Sequence, residues 1–62
     1  MKTYYDVQQL LKQFGTFVYT GNRGADIDLM EEEVKELFEW GMLDRQTYQE
    51  TRLILKQERS KE

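Results

Sequence analysis

Apolar residues recur along this chain at helical spacing in three separate runs. The first is Val7, Leu10, Leu11 and Phe14, at i, i+3, i+4, i+7, one face of a helix. Thr3 stands where an N-cap is needed, and Asp6 three residues on completes a capping-box pair. Gly15 then offers a left-handed ending. The second run is Ile27, Met30, Val34, Leu37 and Phe38, with Asp26 or Asp28 as its cap and Gly41 as its stop. Met42, just past that stop, is expected to touch Leu37. The third run takes Tyr48, Thr51, Arg52 and Leu55, widened by Ile54. Asp44 caps it, and Leu43 with Tyr48 makes a hydrophobic staple. The expected helices span about residues 4–14, 27–40 and 45–58. The short link around Gly41 makes the last two antiparallel neighbours. "TFVYT" at 16–20 has extended character, but a lone strand finds no partner in such a chain. The expectation is one all-α domain over residues 1–62, a short three-helix bundle with a structured first loop.

Length limits what such a fold can do. A chain of 62 residues builds one small, marginal core. It has no cysteine and no histidine, which removes disulfides and the usual zinc ligands. The lack of cysteine fits a reducing cytoplasm, and the longest apolar runs are far short of a membrane span. No apolar leader is visible in "MKTYYDVQQLL". A cytoplasmic protein without a membrane role is therefore expected.

Charge is distributed unevenly. The net value is −3. Residues 1–24 carry three cations against one carboxylate, residues 25–44 one against eight, and residues 45–62 five against three. An acidic middle thus separates two mildly basic ends, a polarity that steers partners.

At this point the chain resembles a known family. The stretches "YYDVQQLLKQFGTFVYTGNRGADIDLMEEEVKELF" and "GMLDRQTYQETRLILKQE" are similar to the YqgQ-like family of small bacterial cytosolic proteins. The resemblance implies a short all-helical protein and carries over no catalytic residues. Residues 34–55 also resemble, more loosely, the helical hairpins of SHOCT-like oligomerisation modules, through their helix-stop, cap and staple pattern.

Without His or Cys the common nucleophile–base pairs are missing, and so small a domain leaves little interior for perturbed carboxylates. No enzyme, cofactor or metal is expected. Asp26, Asp28, Glu31, Glu32 and Glu36 read as a solvated acidic face, since "DIDLMEEE" lacks the spacing of a calcium loop.

Binding is the remaining class. "TGNRG" matches neither phosphate-loop spacing, so it reads as a turn in which Asn22 and the glycines take positive φ. Phe17 and Val18 are then expected to plug the base of the bundle, with Tyr19 half-buried. Arg23 has no evident packing task. Tyr5, Gln9 and Lys12 share the outer face of the first helix, and Arg52, Lys56 and Arg59 form a basic stripe on the third. If those helices lie side by side with the acidic second helix turned away, Tyr5, Gln9, Lys12, Arg23, Arg52, Lys56 and Arg59 form one surface for single-stranded DNA or RNA. The alternative is self-association or binding of another protein through Tyr4, Tyr19, Trp40 and Met42, apolar groups near the ends of the bundle. Trp40 separates the two: folded over the bundle end it is structural, exposed it marks an interface.

Overall fold

A computed structural model describes residues 2–61. The elements are α1 (Tyr4–Gln13), α2 (Arg23–Glu39) and α3 (Arg45–Arg59). The capping box of α1 is complete. Thr3 Oγ1 accepts from the Asp6 N–H at 3.2 Å, and Asp6 Oδ2 accepts from the Thr3 N–H at 3.1 Å. The Lys2 N–H donates to the same carboxylate oxygen at 2.8 Å. Asp44 caps α3 by accepting from the Thr47 N–H at 2.8 Å.

Helices α1 and α2 both stop in Schellman endings. Gly15 (φ 84°) donates to Lys12 O and Thr16 to Leu11 O; Gly41 (φ 76°) donates to Phe38 O and Met42 to Leu37 O. Glycine is required at these two positions because a Cβ strains the left-handed backbone.

The start of α2 differs from expectation. The helix begins at Arg23, and its cap is Asn22, whose side chain accepts from the Ala25 N–H at 3.0 Å. Asn22 has φ −125°, an extended value, and of the two glycines flanking it only Gly21 takes positive φ. Asparagine caps as well as aspartate, and one glycine suffices to turn the chain. The helix therefore gains a turn upstream. That frees Asp26 from capping and lets it face inward.

The helices do not simply alternate in direction. Phe38, late in α2, stacks on Tyr48, early in α3, with ring centroids 4.1 Å apart. Arg59, late in α3, reaches Asp28 and Glu31, early in α2. These two helices are antiparallel and share the most extensive packing. Tyr4 at the start of α1 lies against Arg23 at the start of α2, so α1 and α2 run in the same sense. The chain must therefore travel back between them, and residues 16–20 make that return. Thr16 Oγ1 donates to Glu33 at 3.1 Å, and Thr20 donates from both N and Oγ1 to Asp26 at 2.7 Å each. The segment runs along α2 from Glu33 towards Asp26.

The core is Val7 and Leu11 of α1, Ile27, Met30, Val34 and Leu37 of α2, Leu43, and Ile54 and Leu55 of α3. Tyr4, Leu10, Phe14, Val18 and Tyr48 pack around it. Each fully buried aliphatic side chain contributes roughly 1.5–3 kcal/mol. Two expectations about this core fail. Phe17 is 75% exposed and does not plug the base, and Tyr19 is 87% exposed where it was expected to be half-buried. An extended segment alternates its side chains; Val18 takes the one inward position, and the aromatics on either side of it face out. Arg52, placed with the apolar stripe of α3, is exposed and lies over the Tyr48 ring at 5.5 Å.

Candidate functional site

The residues expected to form one basic surface are distributed over three places. Gln9 and Lys12 of α1 line a groove of about 260 Å³ between α1 and residues 16–20. Arg52, Lys56 and Arg59 do come together, in a shallow groove along α2 and α3 that also contains Glu31. Tyr5 lies at a third groove near the start of α1, beside Lys2 and Arg23.

The acidic helix does not turn away from the basic stripe. Arg59 donates to Asp28 at 2.5 Å and to Glu31 at 2.7 Å, and these bonds hold its guanidinium firmly protonated. Arg23 pairs with Glu58, and its guanidinium carbon lies 4.4 Å from the centroid of the Tyr4 ring. Arg23 thus has the packing task that its sequence context hid. Two of the expected cations are committed to carboxylates, because antiparallel packing brings the start of α2, with Arg23, Asp28 and Glu31, against the end of α3, with Glu58 and Arg59.

Tyr4 is also not a surface anchor. Its ring packs against the core beneath Arg23, and its hydroxyl is buried with no hydrogen-bond partner among the described residues. Burial pushes that hydroxyl above its ordinary pKa; Arg23 opposes the shift, while Asp26 and Glu58 add to it.

Three other interface candidates are exposed. Tyr19 stands out from the return segment, and Trp40 (70% exposed) and Met42 flank Gly41 at the apex of the α2–α3 hairpin. Trp40 is the C-cap residue of α2, and at that exposure it does not fold over the end of the bundle.

Sequence reasoning missed the pair of grooves that residues 16–20 create. On the α1 side the walls are Phe17 and Tyr19, with the Gln8 and Gln9 amides and Lys12 opposite them. Lys12 Nζ lies 5.8 Å from the Phe17 ring centroid. On the α2 side the same aromatics face Leu29, Glu32, Glu33 and Glu36. The available signal was the alternation in "TFVYT". It becomes informative only once the direction of the return is known.

The fold and its grooves define a small all-α protein with an extended aromatic segment laid across two helices. The chain belongs to the YqgQ-like family, whose model matches residues 1–61. It is 43% identical over 58 residues to the uncharacterised protein YqgQ of Bacillus subtilis (strain 168), a match covering 94% of this chain and 82% of that protein. Among the described residues no helix is long and apolar enough to cross a membrane.

Proposed function

We propose that this is a non-enzymatic, cytoplasmic binding protein whose ligand is single-stranded nucleic acid, held in the groove between α1 and residues 16–20. The observation that carries this reading is the pairing of Phe17 and Tyr19, both largely exposed, with the Gln8 and Gln9 amides and the Lys12 ammonium. Exposed rings stack on bases without regard to sequence, each contact contributing roughly 1–3 kcal/mol. Side-chain amides have both donors and acceptors for base edges, and Lys12 supplies a cation for a phosphate. Residues 1–24, which supply all of these groups, carry three cations against one carboxylate. Of the seven residues first grouped for this role, Gln9 and Lys12 remain central. Arg23 and Arg59 are occupied by Glu58, Asp28 and Glu31.

The test is anisotropy of a labelled oligothymidylate titrated at several salt concentrations. Binding that weakens with salt is expected, and Lys12→Glu should lower the salt slope by about 1. Phe17→Ala and Tyr19→Ala should each weaken binding roughly tenfold, the equivalent of one lost stack. No binding, or binding indifferent to both aromatic substitutions, overturns the proposal. Loss on Arg52→Glu with Lys56→Glu, with the aromatic variants unaffected, moves the site to the α2–α3 groove and overturns this one.

The exposed apex favours a second reading, a protein-interaction or self-association module. Trp40 and Met42 sit on a tight hairpin, where large apolar groups without cover mark contact sites. Sedimentation equilibrium, together with Trp40 emission followed on dilution, tests it. A monomer with unchanged emission across the accessible concentration range removes self-association.

A further inference from the structure

The basic stripe of α3 is only partly committed to carboxylates. Gln49, Arg52, Leu53, Lys56 and Arg59 line one shallow groove of about 330 Å³, together with Glu31 of α2. From Gln49 to Arg59 this face runs about 15 Å, close to three helical turns. Arg59 answers Glu31 and Asp28. Arg52 and Lys56 form no ion pair among the described residues. The Arg52 guanidinium carbon lies 5.5 Å from the centroid of the Tyr48 ring, a contact that holds the cation in place. Leu53 shares the face and is 56% exposed, an aliphatic side chain left outside the core.

We propose that this groove docks an acidic amphipathic helix of another protein. This goes beyond both readings above and rests on neither, because the α1 groove and the hairpin apex contribute no residue to it. Two features select the occupant. The apolar stripe of such a helix covers Leu53, as helices seated in shallow grooves do. A row of carboxylates beside that stripe meets Arg52 and Lys56, the two cations that the fold leaves uncommitted. A nucleic acid fits this face less well. Among the described residues no aromatic side chain lines the groove, so bases have no ring to stack on. Glu31 also stands in it, where it opposes a phosphate chain. One aliphatic anchor with two cations makes a small contact, suited to a transient complex.

The experiment uses the full chain, labelled with 15N. The probe is a blocked, alanine-based helical peptide with a leucine stripe bordered by glutamates. Binding should shift the Gln49, Arg52, Leu53 and Lys56 amides and weaken with added salt. The same peptide with glutamine for glutamate should bind roughly tenfold more weakly. Arg52→Gln with Lys56→Gln should produce a similar loss, and Leu53→Ala a several-fold loss. All three positions are exposed, so the helical spectrum should be unchanged. Lys2→Gln, a cation outside the groove, should leave binding as it is. Equal binding by the glutamine peptide, indifference to Leu53→Ala, an equal loss on Lys2→Gln, or shifts confined to other amides overturns the proposal. Displacement of the peptide from these amides by oligothymidylate also overturns it, because nucleic acid is then the occupant. Concentration-dependent shifts of the same amides without peptide do so too, because a second copy then covers the face.

Discussion

The Arg23 guanidinium lies over the Tyr4 ring, 4.4 Å from its centroid, while its far end pairs with Glu58. One side chain at the first position of α2 thereby ties the start of α1 to the end of α3. The loop that introduces α2 is therefore part of the packing of all three helices. Arg23→Ala removes the cation–π contact and a half-exposed ion pair. The expected loss is about 1 kcal/mol, read from the urea midpoint. Arg23→Lys should recover part of it, since a lysine keeps the charge without the flat stacking surface.

Tyr4→Phe should be neutral or stabilising. It keeps the ring beneath Arg23 and removes a buried hydroxyl that no partner satisfies. The expected gain is about 0.5–1 kcal/mol. The pH dependence has a definite sign. Burial raises the folded-state pKa above the ordinary value of 10.0, so the neutral phenol favours folding. That contribution is complete below pH 10.0 and disappears as pH rises through the folded value. The wild type should therefore lose stability faster than Tyr4→Phe in alkaline denaturation.

Thr20→Val tests the tether of the return segment. Asp26 is only 5% exposed, and its carboxylate accepts from both the N–H and the hydroxyl of Thr20. Removing the hydroxyl leaves a buried carboxylate short of a donor, a loss of about 1–3 kcal/mol. The same variant should increase hydrogen exchange at residues 17–19, because one end of the segment is released.

Acid should act through the caps. Asp6 is held below its ordinary pKa of 3.8 first by the Lys2 N–H and then by the Thr3 N–H; Asp44 is held down by its hydrogen bonding to Thr47. The stability they lend is present above pH 3.8 and is lost as pH falls through the lower folded values. Asp6→Asn and Asp44→Asn should each flatten the acid limb of a stability–pH curve.

Gly41→Ala places a Cβ on a backbone with φ 76°. Nothing lies within 4 Å of that Cβ, so the cost is conformational alone, about 1–2 kcal/mol. Thermal unfolding should show it. A similar loss at Gly15 would confirm that the helix stops, and not local crowding, require glycine.

What was legible in the sequence was local. Thr3 with Asp6, Asp44, Gly15 and Gly41 act within a turn of their own position, so their roles follow from spacing alone. The apolar periodicity likewise marked Val7, Leu11, Ile27, Met30, Val34, Leu37, Ile54 and Leu55 as interior. The start of α2 does not follow from local chemistry, because Asn22, Asp26 and Asp28 are all competent caps that spacing does not rank. Asp26 was claimed by Thr20, and Asn22 capped instead.

By itself, then, the sequence determined three amphipathic helices, their stops, and an interior built from their apolar faces, since each depends on contacts within a few residues. Only the tertiary structure decided the direction of α1 relative to α2, and with it the long return that leaves Phe17 and Tyr19 outside. It also decided which cations are free: antiparallel packing of α2 and α3 assigned Arg23 and Arg59 to carboxylates far away along the chain. Those choices rest on which faces bury together, a property of the whole packed molecule that no window of residues contains.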